Sequence, residues 1–244
     1  MSLAGRLFNI FATPGEVFDN IKGAPASTAN WLTPGLILIG VSWLCTTLIF
    51  SQDFVQQQLR EMTDQAIDKQ VQQGKLNEQQ AEQARTVGTK IGLIFARISA
   101  YGAPIFVGLV APFWGGLIIW LVGTKALAGD FSYMKGVEVA GLAGMVNSLD
   151  GVVRTFLIMI MGNIFASPSL ALFVKNFDPK NTSHGLLAAV NVMTFWVLAL
   201  RAVGLARLTR SGFGKAAAWI FGIWVLQTAL LVGFSLGVQK IFAR

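Results

Sequence analysis

The chain has 244 residues, of which 54% are hydrophobic and 13% charged, with a formal charge of +7 and one cysteine. Its mean hydropathy is +0.59. An ordinary soluble domain carries about 25% charged residues, so this balance excludes that class, and several long apolar runs carry the excess. The single Cys45 excludes an internal disulfide. The bases sit largely at the ends of apolar runs, which fits anionic lipid headgroups better than nucleic acid.

Residues 1–31 read as an amphipathic N-terminal segment, without the cleavage pattern of a signal peptide. Leu3, Leu7, Ile10 and Phe11 share one helical face. Thr13, Pro14 and Glu16 then read as N-cap, first helical position and third position of a capping box. The short helix they start puts Val17, Phe18 and Ile21 on one side, and is predicted to lie in the membrane interface or against a bundle. Residues 32–244 read as a membrane domain. About 20 residues at 1.5 Å rise cross about 30 Å of hydrocarbon, and the first such run, 32–50, is free of charge and introduced by Trp31.

Composition changes abruptly in the insertion 51–100. Half of the twelve acidic residues lie here: Asp53, Glu61, Asp64, Asp68, Glu78 and Glu82. Val55, Leu59, Met62 and Ala66 recur at helical spacing, Gly74 reads as a stop, and Asn77 with Gln80 reads as a second cap. The pattern predicts an extramembrane helical hairpin. A second span follows at 101–122, interrupted by Pro104 and Pro112, where a kink is expected.

The central span, 136–162, organises the remainder. Gly136, Ala140, Gly144 and Ser148 recur every four residues and form a small-residue stripe where another helix backbone can come close. Asp150 and Arg154 sit four apart near mid-span, on one face. After Gly162, Ser167 and Pro168 read as the start of a short interfacial helix, with a separate span over 155–174 as the competing reading. A fourth span is expected at 186–205 and a fifth at 216–238, where Ala229, Gly233 and Gly237 form a second stripe. Five spans put the termini on opposite sides. With the hairpin set aside, Arg6, Lys22, Lys125, Lys135, Arg201, Arg207, Arg210 and Lys215 face Lys175, Lys180, Lys240 and Arg244, which predicts a cytoplasmic N-terminus. The fold class expected is an all-α polytopic membrane bundle with about five transmembrane helices.

Three passages resemble the Yip domain family of five-span integral membrane proteins, in its bacterial type. They are FATPGEVFDNI (11–21) followed by WLTPG (31–35), GDFSYMKGVEVAGLAG (129–144) and FWVLALRAVGLARLTRSGFGKAAAWIFGIW (195–224). The resemblance implies a five-helix membrane domain without known catalytic residues, in a bacterial inner membrane. Eukaryotic relatives act in vesicle traffic and bind small GTPases through a long N-terminal region, of which this chain has only about 30 residues before its first span.

A charge at mid-membrane depth costs roughly 3 kcal/mol or more, so Asp150 and Arg154 need partners. They read either as a relay or subunit anchor, or as a structural ion pair aided by Asn147 and Asn191. Arg201, Arg207, Arg210 and Lys215 read as a docking face for headgroups or for an acidic partner. His184 stands alone without ligand-spaced neighbours, and no nucleophile motif, phosphate loop or metal set occurs. No cofactor is expected. The sequence therefore points to a non-catalytic scaffold or accessory subunit, in contact with anionic lipids and with other membrane subunits or its own copies. The alternative is a small transporter with a polar site at Asp150 and Arg154, flanked by helices broken at Pro104, Pro112 and Gly151.

Overall fold

The computed structural model describes residues 1–179 and 181–242, with side-chain surroundings described through residue 234. Two short helices, α1 (Leu3–Asn9) and α2 (Pro14–Lys22), lead into α3 (Ala29–Phe50), then α4 (Asp53–Gln72) and α5 (Glu78–Leu109). Next come α6 (Ala111–Leu121) with a π turn (Val122–Ala126), α7 (Tyr133–Ala143) and α8 (Met145–Met161). A 3-10 turn (Leu170–Phe173), α9 (Thr182–Ala189), α10 (Val192–Thr209) and α11 (Phe213–Phe242) complete the chain. No strand occurs among the described residues, only an isolated bridge between Ser169 and Asn191. The fold is an all-α helical bundle.

Among the described residues, five helical stretches are long and apolar enough to cross a membrane: Ala29–Phe50, Glu78–Ala126, Tyr133–Met161, Val192–Thr209 and Phe213–Phe234. Their outer surfaces carry Leu44, Phe106, Phe156, Ile160 and Leu231, all exposed, as lipid-facing helices require. The buried core lies toward the N-terminal end of the bundle. There Ile10, Val17, Phe18 and Ile21 pack with Ile119, Leu142 and Leu205. The N-terminal segment thus caps the bundle with its apolar face.

Several element boundaries differ from the sequence expectation, each for a local reason. Thr13 makes no side-chain cap bond, so the capping box with Glu16 does not form, whereas the Asn77–Gln80 box is complete in both directions. The second span is not a separate helix: α5 runs unbroken from Glu78 through Pro104, and the interruption falls at Val110, just before α6. Pro112 sits in the first turn of α6, where a helix N–H has no acceptor within its own helix to lose. The central span starts at Tyr133 and is jointed at Gly144, whose ψ of −13° opens the helix between α7 and α8.

Gly162, at φ +59°, then ends α8 in the left-handed conformation that glycine adopts at little cost. The 3-10 turn begins with Ser169 as N-cap, not Ser167. The fourth span begins at Val192, not Leu186, because the Asn191 side chain accepts from the Met193 and Thr194 amides and starts a new helix there. The fifth begins at Phe213, not Ala216.

Glycine sets the closest crossing. A Cβ on Gly35 would run into the Gly108 carbonyl, and one on Gly108 would come within 2.7 Å of the Gly35 oxygen, so α3 and α5 touch backbone to backbone. Trp43 Nε1 donates to the Tyr101 carbonyl at 3.0 Å, and Arg97 lies 5.7 Å from the Phe50 ring centre. Phe50 ends α3, so Arg97 marks the level where that span stops. From there back to Glu78, α5 projects about 29 Å further at 1.5 Å per residue. α4 returns along this projection, with Arg85 Nη2 2.6 Å from Asp68 Oδ1. Gln58 of α4 then donates to the Gly162 carbonyl at 2.5 Å and accepts from the Ile164 amide at 3.1 Å. The hairpin is therefore fastened to the loop that follows α8.

Candidate functional site

Among the described residues, Glu138 is the hub of a buried polar network. It lies one turn from Lys135 on α7, the spacing at which two side chains meet on one helix face. Lys135 Nζ is 2.7 Å from Glu138 Oε2 and donates to the Ile21 carbonyl at 2.6 Å. Glu138 Oε1 accepts from Asn30 Nδ2 at 2.6 Å and from the Ser27 amide at 2.8 Å. Asn30 Oδ1 accepts from Arg6 Nη1 at 2.9 Å, and Arg6 Nε donates to Asn20 Oδ1 at 3.0 Å. Glu138 is 0% exposed and Asn30 1%. One polar chain thus ties α1, α2 and α3 to α7. Burying an ion costs several kcal/mol unless it is both paired and hydrogen-bonded, and Glu138 meets both conditions. Oε1 takes both hydrogen bonds, while the buried Oε2 has the Lys135 ion pair and no hydrogen bond, so the group is placed to act as a fastener.

Of these five side chains, Arg6 and Lys135 entered the sequence reading only as charges that set orientation, and Asn20, Asn30 and Glu138 were not singled out. The signal was present: Lys-Gly-Val-Glu at the start of an apolar run leaves a lone carboxylate with a cation one turn away. Nothing in the spacing announces Asn30 or Arg6, which come from elements far away in the chain.

The pair singled out at mid-span behaves differently. Asp150 and Arg154 are electrostatic neighbours but form no salt bridge among the described residues. Arg154 is exposed on the outer face, and the buried Oδ1 of Asp150 has no hydrogen-bond partner. Asn191 uses its side-chain oxygen to cap α10. Asn147 faces inward, where it lines a small void with Gly35, Pro112 and Arg201. That void of about 20 Å³ is large enough for one water molecule. Arg201 sits inside the bundle with its guanidinium against Gly115, and its buried Nε has no hydrogen-bond partner.

The small-residue stripes also divide. A Cβ on Gly136 would meet the Gly116 oxygen at 2.5 Å, and Ala140 lies against Gly115, so this end of the stripe packs on α6. Gly144 meets only its own turn and Asn147, while Ser148 is buried with an unpartnered hydroxyl. On α11, Ala229 and Gly233 are exposed, with open space beside Gly233; Gly237 lies outside the residues whose surroundings are described.

The remaining bases gather at the end of α10. Arg207 Nη1 is 3.0 Å from Asp19 Oδ2, and Lys22 Nζ donates to the Arg207 carbonyl at 2.6 Å. With Arg210, Ser211 and Phe213 they line a cleft of about 610 Å³. Lys215 is exposed on α11 beyond it. His184 accepts from the Asp178 amide at 3.0 Å and stacks on Phe177. Among the described residues no cluster of three or more His, Cys, Asp or Glu side chains could hold a metal ion.

These features define a class: a multi-pass helical membrane protein whose polar groups fasten helices together. The family model for the Yip1 domain matches residues 8–235. The chain belongs to the Yip1 domain family. No curated protein and no solved structure matches it.

Proposed function

We propose that the chain is a non-catalytic membrane scaffold or accessory subunit that holds partner proteins through the α4–α5 hairpin. The observation that carries this reading is a stripe on α5. Val87, Ile91, Ile94 and Ile98 are all exposed and recur at four-three-four spacing, the seam by which helices pack side by side. Val87 and Ile91 lie beyond the level of Arg97, on the part of α5 that outruns α3. α4 covers a different face of α5, with Thr63 against Gly88 and Gly92. An apolar seam projecting from the membrane on a braced hairpin supports docking of another helix. The open Ala229 and Gly233 face of α11 supports a second contact, within the bilayer, with a partner subunit or another copy.

In this reading the protein sits in a bacterial inner membrane with its N-terminus in the cytoplasm, on the side richer in Lys and Arg once the hairpin, which is also rich in acids, is set aside. A transport reading draws less support, because Asp150, Arg154 and Asn191 do not converge on a common path. The test is purification from native membranes in mild detergent, with quantitative mass spectrometry of wild type and of Ile91→Asp with Ile94→Asp. The reading expects a stoichiometric partner that the variant loses while its helicity and thermal stability stay unchanged. A wild type that purifies as a monomer, and that yields no cross-links from α5 in native membranes, would overturn it.

A further inference from the structure

The cleft at the end of α10 has features that the scaffold reading does not use. It is walled by three cations from different elements, Lys22 of α2, Arg207 of α10 and Arg210 of the α10–α11 turn, with Asp19 as its one carboxylate. Asp19 is committed to Arg207. Arg210 is exposed, forms no salt bridge among the described residues, and holds φ at +58° as the C-cap of α10. An arginine in the left-handed region costs more than the glycine usual at that position. α11 starts at Phe213, and its first-turn amides of Phe213 and Gly214 bond to nothing among the described residues. They put the positive end of a long helix beside Phe213, which lines the opening.

The charge is not balanced internally. Burial and the Arg210 charge push the Lys22 amine below its usual value, and Asp19 only partly offsets them. Location decides what kind of anion fits. The cleft lies where the spans Val192–Thr209 and Phe213–Phe234 end and begin, hence at one membrane face. Val203 and Ala206 lie about a turn further into α10 than Arg207 and Arg210, so the lining passes from apolar to cationic toward the end of the span, with the exposed Phe213 at its mouth. That gradient matches a molecule whose phosphate is tied to hydrocarbon tails.

We infer that the cleft between Lys22, Arg207 and Arg210 binds the phosphate of one anionic phospholipid from the leaflet on the N-terminal side. The lipid phosphate would bridge Arg210 and Lys22, with its oxygens toward the α11 amides and its acyl chains along Val203 and Phe213. Such a lipid would join α2 to the α10–α11 turn.

The experiment is native mass spectrometry of the detergent-purified full chain titrated with phosphatidylglycerol or phosphatidylcholine. A single phosphatidylglycerol should be retained in preference to phosphatidylcholine. Arg210→Gln with Lys22→Gln should weaken retention by about tenfold or more, Arg210→Lys should keep most of it, and Lys215→Gln should leave it within about twofold. Excess inorganic phosphate should not displace the lipid. Equal retention of the two lipids, undiminished binding by the double variant, or displacement by inorganic phosphate would each overturn the assignment. A photoactivatable phosphatidylglycerol on wild type gives a reading that does not depend on a variant folding. Adducts on residues 203–213 are expected, and adducts confined elsewhere contradict the site.

Discussion

Two carboxylates on the same membrane-crossing stretch have opposite circumstances. Glu138, on α7, is fully buried, ion-paired to Lys135 and hydrogen-bonded by Asn30 and the Ser27 amide. Asp150, on α8, has a basic residue four positions away yet makes no contact pair, and its buried oxygen has no donor. The difference shows what spacing decides and what it does not. A four-residue step puts two side chains on one face, but only surrounding helices turn that proximity into a bond. Around Glu138 three other elements close in from the N-terminal side. Arg154 is instead exposed on the outer surface, with no ion pair among the described residues.

The largest expected effect comes from breaking the first arrangement from one side. Glu138→Ala leaves Lys135 buried without its counter-charge and should cost about 3–5 kcal/mol, read as a fall in thermal midpoint in detergent. Removing both charges, as Glu138→Met with Lys135→Met, should cost much less, because no uncompensated ion remains. A double variant as unstable as the single one would show that Glu138 acts by shape and not by pairing.

A smaller loss is expected from Asn30→Ala. It deletes one donor to Glu138 and one acceptor of Arg6, and a buried group left unsatisfied costs about 1–3 kcal/mol. Denaturant midpoints of the purified protein measure it. The smallest effect belongs to the second carboxylate. Asp150→Asn should shift stability by under about 1 kcal/mol, and its coupling to Arg154→Gln in a double-mutant cycle should be within about 0.5 kcal/mol. A coupling as large as that of Lys135 with Glu138 would erase the contrast between the two sites.

The bundle itself was legible because bilayer thickness imposes a length on every span and apolar composition reports it. The hairpin was legible for a related reason: Asn77 and Gln80 bond within one turn, so sequence spacing fixes their geometry. What failed depended on distant neighbours. Thr13 and Glu16 have the residue types of a capping box, yet the Thr13 backbone, at φ −130° and ψ 58°, lies outside the extended cap conformation and the cap bond is unmade. Asn191, read as an aid to Asp150, is taken up by the backbone amides of its own helix. The Glu138 network draws on residues 6, 20, 27 and 30, more than 100 positions from the carboxylate they surround, and no local period encodes that. Arg201 resembled its neighbours Arg207 and Arg210 in sequence, but its position two turns further up α10 puts it inside the bundle.

The most direct test of the central claim, that Glu138 fastens the N-terminal helices to the membrane bundle, is hydrogen–deuterium exchange across residues 3–22. It compares wild type with Glu138→Gln in detergent or nanodiscs. The account predicts protected α1 and α2 amides in wild type and much faster exchange in the variant, with α10 and α11 unchanged. Equal protection of residues 3–22 in both proteins would contradict it, and would mean that apolar packing of Ile10, Val17, Phe18 and Ile21 holds the segment without the buried charge.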